Sequence, residues 1–137
     1  RGHGHTPDTA GNFTFELMAD DTIAFIEQVV SAPARLVGYS DGAVVALLTA
    51  KKRPDLVQRL VCVAGVFHRN GWEAGVLVPN SEPPAFMADS YGEVSPDGRA
   101  HYAVIAKKPA AMQAEGPTLT TKCFPIRFAV KGRIWQA

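Results

Sequence analysis

The chain is predicted to fold as an α/β protein on a parallel sheet, and three stretches between Arg35 and Ala64 predict it. Arg35-Leu36-Val37-Gly38-Tyr39 is a short apolar run bounded by Pro33, the composition of a buried strand. Ala43 to Lys52 is apolar almost all round, as a buried helix must be. Pro54 closes it, and Lys51, Lys52 and Arg53 suit the negative end of its dipole. Leu60-Val61-Cys62-Val63-Ala64 then reads as a second buried strand. From Arg35 to Ala64 the length is that of one βαβ crossover, a connection that is almost always right-handed.

The flanking segments extend this reading. Residues 13–31 predict a helix leading into the first strand, with Thr14 as N-cap and Glu16 in the first turn. Met18, Phe25, Ile26 and Val29 recur at helical spacing as its apolar stripe, leaving Asp20, Asp21 and Glu27 to water. Residues 83–121 read as loop and helix. Trp72, Phe86, Tyr91, Tyr102 and Met112 either form an apolar pocket or fill a small helical layer.

Composition narrows the function classes. The 137 residues are 47% hydrophobic with a net charge of +1, which gives no bulk electrostatic case for nucleic acid or a membrane surface. The longest apolar run, Ala43 to Leu48, is far too short to span a bilayer, and no stretch has the form of a secretory leader. Cys62 and Cys123 are isolated. Cys62 reads as a small core residue, and this usage fits a reducing cytoplasm. Charge shifts abruptly near the end. All 13 Asp/Glu precede residue 122, whereas residues 122–137 carry Lys122, Arg127, Lys131 and Arg133 with no acid. A frameshift or aberrant splice would leave such a tail. A basic edge strand is the alternative, because Phe124, Ile126, Phe128 and Val130 alternate with Pro125, Arg127 and Ala129.

Between the first strand and the helix stands Gly38-Tyr39-Ser40-Asp41-Gly42. Gly-x-Ser-x-Gly in that setting is a nucleophile elbow, a turn so sharp that the serine is held in strain with its Oγ exposed. Gly38 and Gly42 are expected to be sterically required, because a Cβ at either would collide where helix folds back on strand. Ser40 is thereby the candidate nucleophile for acyl transfer. A serine hydroxyl needs a histidine to take its proton and a carboxylate to orient that histidine. Downstream of Ser40 the only histidines are His68 and His101.

The opening Arg1-Gly2-His3-Gly4-His5-Thr6-Pro7-Asp8, the helix before the strand, the elbow, and Val66-Phe67-His68 after the next strand come in the order of the α/β-hydrolase superfamily, which the chain resembles over about its first 120 residues. The resemblance implies a partial α/β-hydrolase fold with a parallel sheet core. Residues 1–70 would be core with the elbow, 71–121 a helical cap-like region, and 122–137 an atypical basic tail. It also implies a fragment that begins mid-sheet, and a structural role for His3 and His5. The Asp41 backbone N–H would be one oxyanion-hole donor. His68, at cap entry, and Trp72 are candidate pocket residues. No triad acid or histidine is identified, and no metal site or cofactor is expected. Serine at the elbow argues against the dehalogenase and epoxide-hydrolase branches, which need a carboxylate nucleophile. The implied partner is a small acyl compound, with hydrolysis of an ester or related bond, including carbon–carbon bonds. The other class is a catalytically inactive remnant that acts as an interaction fragment, prone to self-association through exposed sheet edges.

Overall fold

The computed structural model describes residues 1–72 and 84–120. In chain order it has α1 (Phe15–Phe25), a π-helical turn (Ile26–Val30), β1 (Ala34–Tyr39), α2 (Asp41–Lys52), β2 (Val57–Val63), α3 (Ala85–Val94), α4 (Tyr102–Ile105) and α5 (Lys107–Glu115). The chain divides into two compact units: Arg1–Phe13 with Ala74–Ala114, and Thr14–Glu73 with Glu115–Ala137. The opening loop thus groups with the later helices, where a linear division at residue 70 places it with the elbow. The basic tail and its alternating apolar residues lie outside the described residues.

In the second unit β1 and β2 pair in parallel, with Leu36 opposite Leu60, Val37 opposite Val61, Gly38 opposite Cys62 and Tyr39 opposite Val63. The crossover is α2, which packs on both strands and on α1. Ala43 through Ala50 are all buried, as an apolar helix between a sheet and another helix requires. The expectation of buried strands needs correction. Val37 and Tyr39 are 75% and 72% exposed, and Val61 and Val63 are exposed beside them. Side chains alternate across a strand, so covering the Gly38 face with α2 leaves the Val37–Tyr39 face open. Cys62 lies in β2 as expected but is exposed rather than core, with Sγ 3.7 Å from the Ala43 carbonyl oxygen.

Helix α1 begins as the sequence predicts. Thr14 Oγ1 accepts a hydrogen bond from the Leu17 N–H at 3.0 Å. Its buried line is Phe15, Ala19 and Ile26, whereas Phe25 and Val29 are 57% and 65% exposed. Of the predicted stripe, Ile26 is buried and Met18 half-buried, while Phe25 and Val29 fall outside the packed line. From Ile26 the winding loosens to i→i+5, closing with Ser31 N–H on the Ile26 carbonyl at 2.8 Å. Lys52 bonds Asp20 at 2.5 Å and Arg53 bonds Glu27, joining the end of α2 to α1 and to the π-helical turn after it. Exposed pairs of this kind contribute at most about 1 kcal/mol each, so burial of α2 dominates.

The first unit is a loop bolted to helices. His3 Nδ1 lies 2.9 Å from the Arg1 carbonyl oxygen, and its ring centroid is 5.8 Å from that of Phe13. His5 Nδ1 lies 3.0 Å from the Val94 carbonyl oxygen. Both histidines thus hold backbone. Gly2, at φ 65°, sits where a Cβ would be 2.5 Å from Ile105 Cδ1. Tyr91, Ile105 and Met112 are buried, and the Tyr91 and Tyr102 rings stand 5.5 Å apart, so these aromatic residues serve as filler in this unit. Phe86 is exposed, and Trp72 belongs to the other unit.

Candidate active site

Ser40 occupies the residue between β1 and α2 with φ 53° and ψ −124°, a backbone conformation that costs a non-glycine residue about 1–3 kcal/mol. Two bonds hold it there. Its N–H donates to the Val63 carbonyl at 2.9 Å, and its carbonyl accepts from the Ala43 N–H at 2.9 Å. The serine is pinned to the adjacent strand on one side and to the first turn of α2 on the other. Asp41 opens α2, so its backbone N–H lies at the positive end of the helix dipole.

The glycines divide. A Cβ on Gly38 would come within 2.3 Å of the Gly42 carbonyl oxygen and 2.5 Å of Ala43 Cα, so this position admits no side chain. Gly42 has no atom within 4 Å of its Cβ position, which corrects the expectation that both glycines are sterically required. Its Cβ would project from the exposed side of the first helical turn. A third glycine does the work assigned to it. A Cβ on Gly65 would be 2.6 Å from the Ala43 Cβ and 3.4 Å from the Ser40 carbonyl oxygen. The residue before it, Ala64, has φ 52°. The only sequence signal for this close approach is a glycine directly after an apolar strand run.

Beyond Gly65 the chain stays organised. Phe67 and Arg69 bond Leu119 and Pro117 at 3.0 and 2.8 Å, around an antiparallel bridge between His68 and Thr118. A 3₁₀ turn over Arg69–Gly71 folds back so that a Cβ on Gly71 would be 3.3 Å from Val66 Cγ1. His68 Nδ1 accepts from the Asn70 N–H at 3.2 Å, which leaves Nε2 as the protonated nitrogen of a neutral ring. Trp72 follows, with its Nε1 sealed from solvent and no hydrogen-bond partner among the described residues.

His101 is engaged elsewhere. Its Nε2 lies 2.9 Å from Asp8 Oδ2, and Lys108 Nζ lies 2.7 Å from each Asp8 oxygen. The Lys108 ammonium, and then the His101 ring, hold the Asp8 carboxyl down at about 2. Among the described residues no histidine is hydrogen-bonded to Ser40 Oγ. Partial burial of its sulfur pushes the Cys62 thiol up.

A strained serine between a strand and a buried crossover helix, beside a parallel neighbour strand, defines the core of an α/β-hydrolase. Over residues 1–114 the chain matches the family described as Serine aminopeptidase, S33, and it belongs to that family. Among curated proteins it is 41% identical over 66 residues to the sn-1-specific diacylglycerol lipase ABHD11 of Mus musculus, covering 46% of this chain and 20% of that protein. It is 44% identical over 64 residues to the "Putative non-heme bromoperoxidase BpoC" of Mycobacterium tuberculosis, covering 47% of this chain and 24% of that one. The matched stretches thus span a quarter or less of these relatives. No solved structure matches the chain. Among the described residues no helix is long and apolar enough to cross a membrane.

Proposed function

We propose that Ser40 is the nucleophile of an acyl hydrolase, attacking the carbonyl carbon of an ester or related acyl compound. The observation that carries this reading is the Ser40 backbone at φ 53° and ψ −124° between β1 and α2. A protein keeps a non-glycine residue in such a conformation only where surrounding structure enforces it, and such sites cluster where chemistry is done. The Asp41 N–H, at the start of α2, would stabilise the developing oxyanion. Membership of a serine hydrolase family and a relative named as a lipase accord with an ester as the substrate class. The exposed thiol of Cys62 suits a reducing compartment such as the cytoplasm.

A second reading rests on the histidines. His68 Nδ1 is bonded to backbone and His101 is paired with Asp8, so neither serves Ser40 as its base in this arrangement. On that reading the 137-residue chain is itself inactive and its exposed Val37–Tyr39 face favours self-association. Turnover of p-nitrophenyl butyrate with and without added imidazole separates the two. Once the hydrolysis that imidazole itself catalyses in buffer is subtracted, the nucleophile reading predicts a further acceleration by imidazole in the wild-type chain and none in Ser40→Ala, because free imidazole can take the proton from Ser40. Equal rates for the two chains, with and without imidazole, would leave the inactive reading standing.

A further inference from the structure

Among the described residues, three that are not glycine have positive φ: Ser31 at 54°, Ser40 at 53° and Ala64 at 52°. Ser31 ends the π-helical turn and donates its N–H to the Ile26 carbonyl, as a left-handed helix cap does. Ser40 is the elbow. Ala64 has neither role, and its side chain is exposed, so no packing of its methyl accounts for the angle. L residues hold such a conformation only where the surroundings enforce it, and such residues cluster at functional sites. Both chain neighbours of Ala64 meet Ser40. Val63, just before it, accepts the Ser40 N–H at 2.9 Å. Gly65, just after it, lies where a Cβ would be 3.4 Å from the Ser40 carbonyl oxygen and 2.6 Å from the Ala43 Cβ.

We infer that Ala64 is a positioning residue for Ser40: its left-handed backbone sets Val63 on the Ser40 N–H and Gly65 against the Ser40 carbonyl, so one turn holds the nucleophile's backbone at both ends. An extended or right-handed residue 64 would leave Val63 in β2 but carry Gly65 away, and the serine would keep its anchor on one side only. The inference rests on the hydrolase reading. It adds a residue outside the Gly-x-Ser-x-Gly motif, beyond a different strand, on which the reactivity of Ser40 depends. The role lies in a backbone angle, so substitutions at this exposed position sort by φ preference and not by size.

The test compares Ala64→Gly, Ala64→Asn and Ala64→Val in the full chain. Asparagine and valine are close in volume, but asparagine accepts left-handed backbone and a β-branched residue resists it. Two quantities are read well below each thermal midpoint, where a loss of stability alone leaves the chain folded. One is the rate at which a fluorophosphonate labels Ser40, and the other is hydrogen exchange of the Ser40 amide. Ala64→Gly and Ala64→Asn should keep wild-type labelling and exchange. Ala64→Val should slow labelling and speed exchange, each at least about fivefold. Ala64→Gly should also melt at or above the wild-type midpoint, because glycine takes this angle without strain. Equal labelling of Ala64→Asn and Ala64→Val, wild-type exchange in Ala64→Val, or a lowered midpoint in Ala64→Gly would overturn the inference. A wild-type chain whose Ser40 takes no label would overturn the hydrolase reading alone, because the exchange comparison reads the hold on Ser40 without any reactivity.

Discussion

Gly38→Ala tests the elbow at its tightest point. The added methyl would sit 2.3 Å from the Gly42 carbonyl oxygen, 2.5 Å from Ala43 Cα and 2.6 Å from the Gly42 carbonyl carbon. Ordinary contact distances are about 3.5–4.0 Å, so β1 and α2 must separate by about an ångström to admit it. All three neighbours are backbone, and none can rotate aside. Overpacking costs about 1–3 kcal/mol where side chains can yield, and this site should reach about 3 kcal/mol or more. That is a large share of a stability of about 5–15 kcal/mol. In urea unfolding followed by circular dichroism, a slope of about 1.5 kcal/mol per molar places the loss at about 2 M in the midpoint. Gly42→Ala is the internal control. With open space around its Cβ position and a place in the first turn of α2, it should be neutral or stabilising by up to about 1 kcal/mol. A Gly38→Ala midpoint within error of wild type, or equal losses at the two glycines, would refute the reasoning.

Gly65→Ala should cost about 1–3 kcal/mol through the Ala43 methyl at 2.6 Å, and Ala43→Gly in the same chain should recover part of it in a double-mutant cycle. Ser40→Gly should stabilise the chain by about 1 kcal/mol or more by releasing the strained backbone, while abolishing any ester turnover; unchanged stability would mean that no strain is stored there. Thr14→Ala should cost about 0.5–2 kcal/mol in the same unfolding assay, through loss of the α1 N-cap. Asp8 has a folded value of about 2, depressed below the ordinary carboxylate value, so its contribution is present above about pH 4. It should be lost as pH falls from about 4 to 2, and a thermal-midpoint profile against pH should flatten over that window in Asp8→Asn.

What the sequence made legible follows from local rules. An apolar strand run, a glycine-flanked serine and a small-residue helix each carry their structure in adjacent residues, and β1, the elbow and α2 stand within about two residues of where periodicity puts them. The Thr14 cap was legible for the same reason. The exposure of β1 and β2 was not, because apolarity shows that a strand can be buried and not which face a neighbour covers. The α1 stripe was legible only in part, because Phe25 and Val29 are as apolar as the residues that pack, and a π turn changes the winding at Ile26. Gly65 went unread because its clash is with Ala43, a residue on another element. The Asp8–Lys108–His101 cluster joins residues about a hundred positions apart, and no local pattern announces such a contact.

The central claim is that one residue, Ser40, is held for nucleophilic attack. A fluorophosphonate reacts covalently with an activated serine, and peptide mass spectrometry reads which serine carries the adduct. The account predicts a single phosphonyl adduct, on the peptide containing Ser40, formed faster with imidazole present and missing from Ser40→Ala. Modification spread over Ser31, Ser81, Ser90 and Ser95 as readily as Ser40, or no adduct at all, would contradict it.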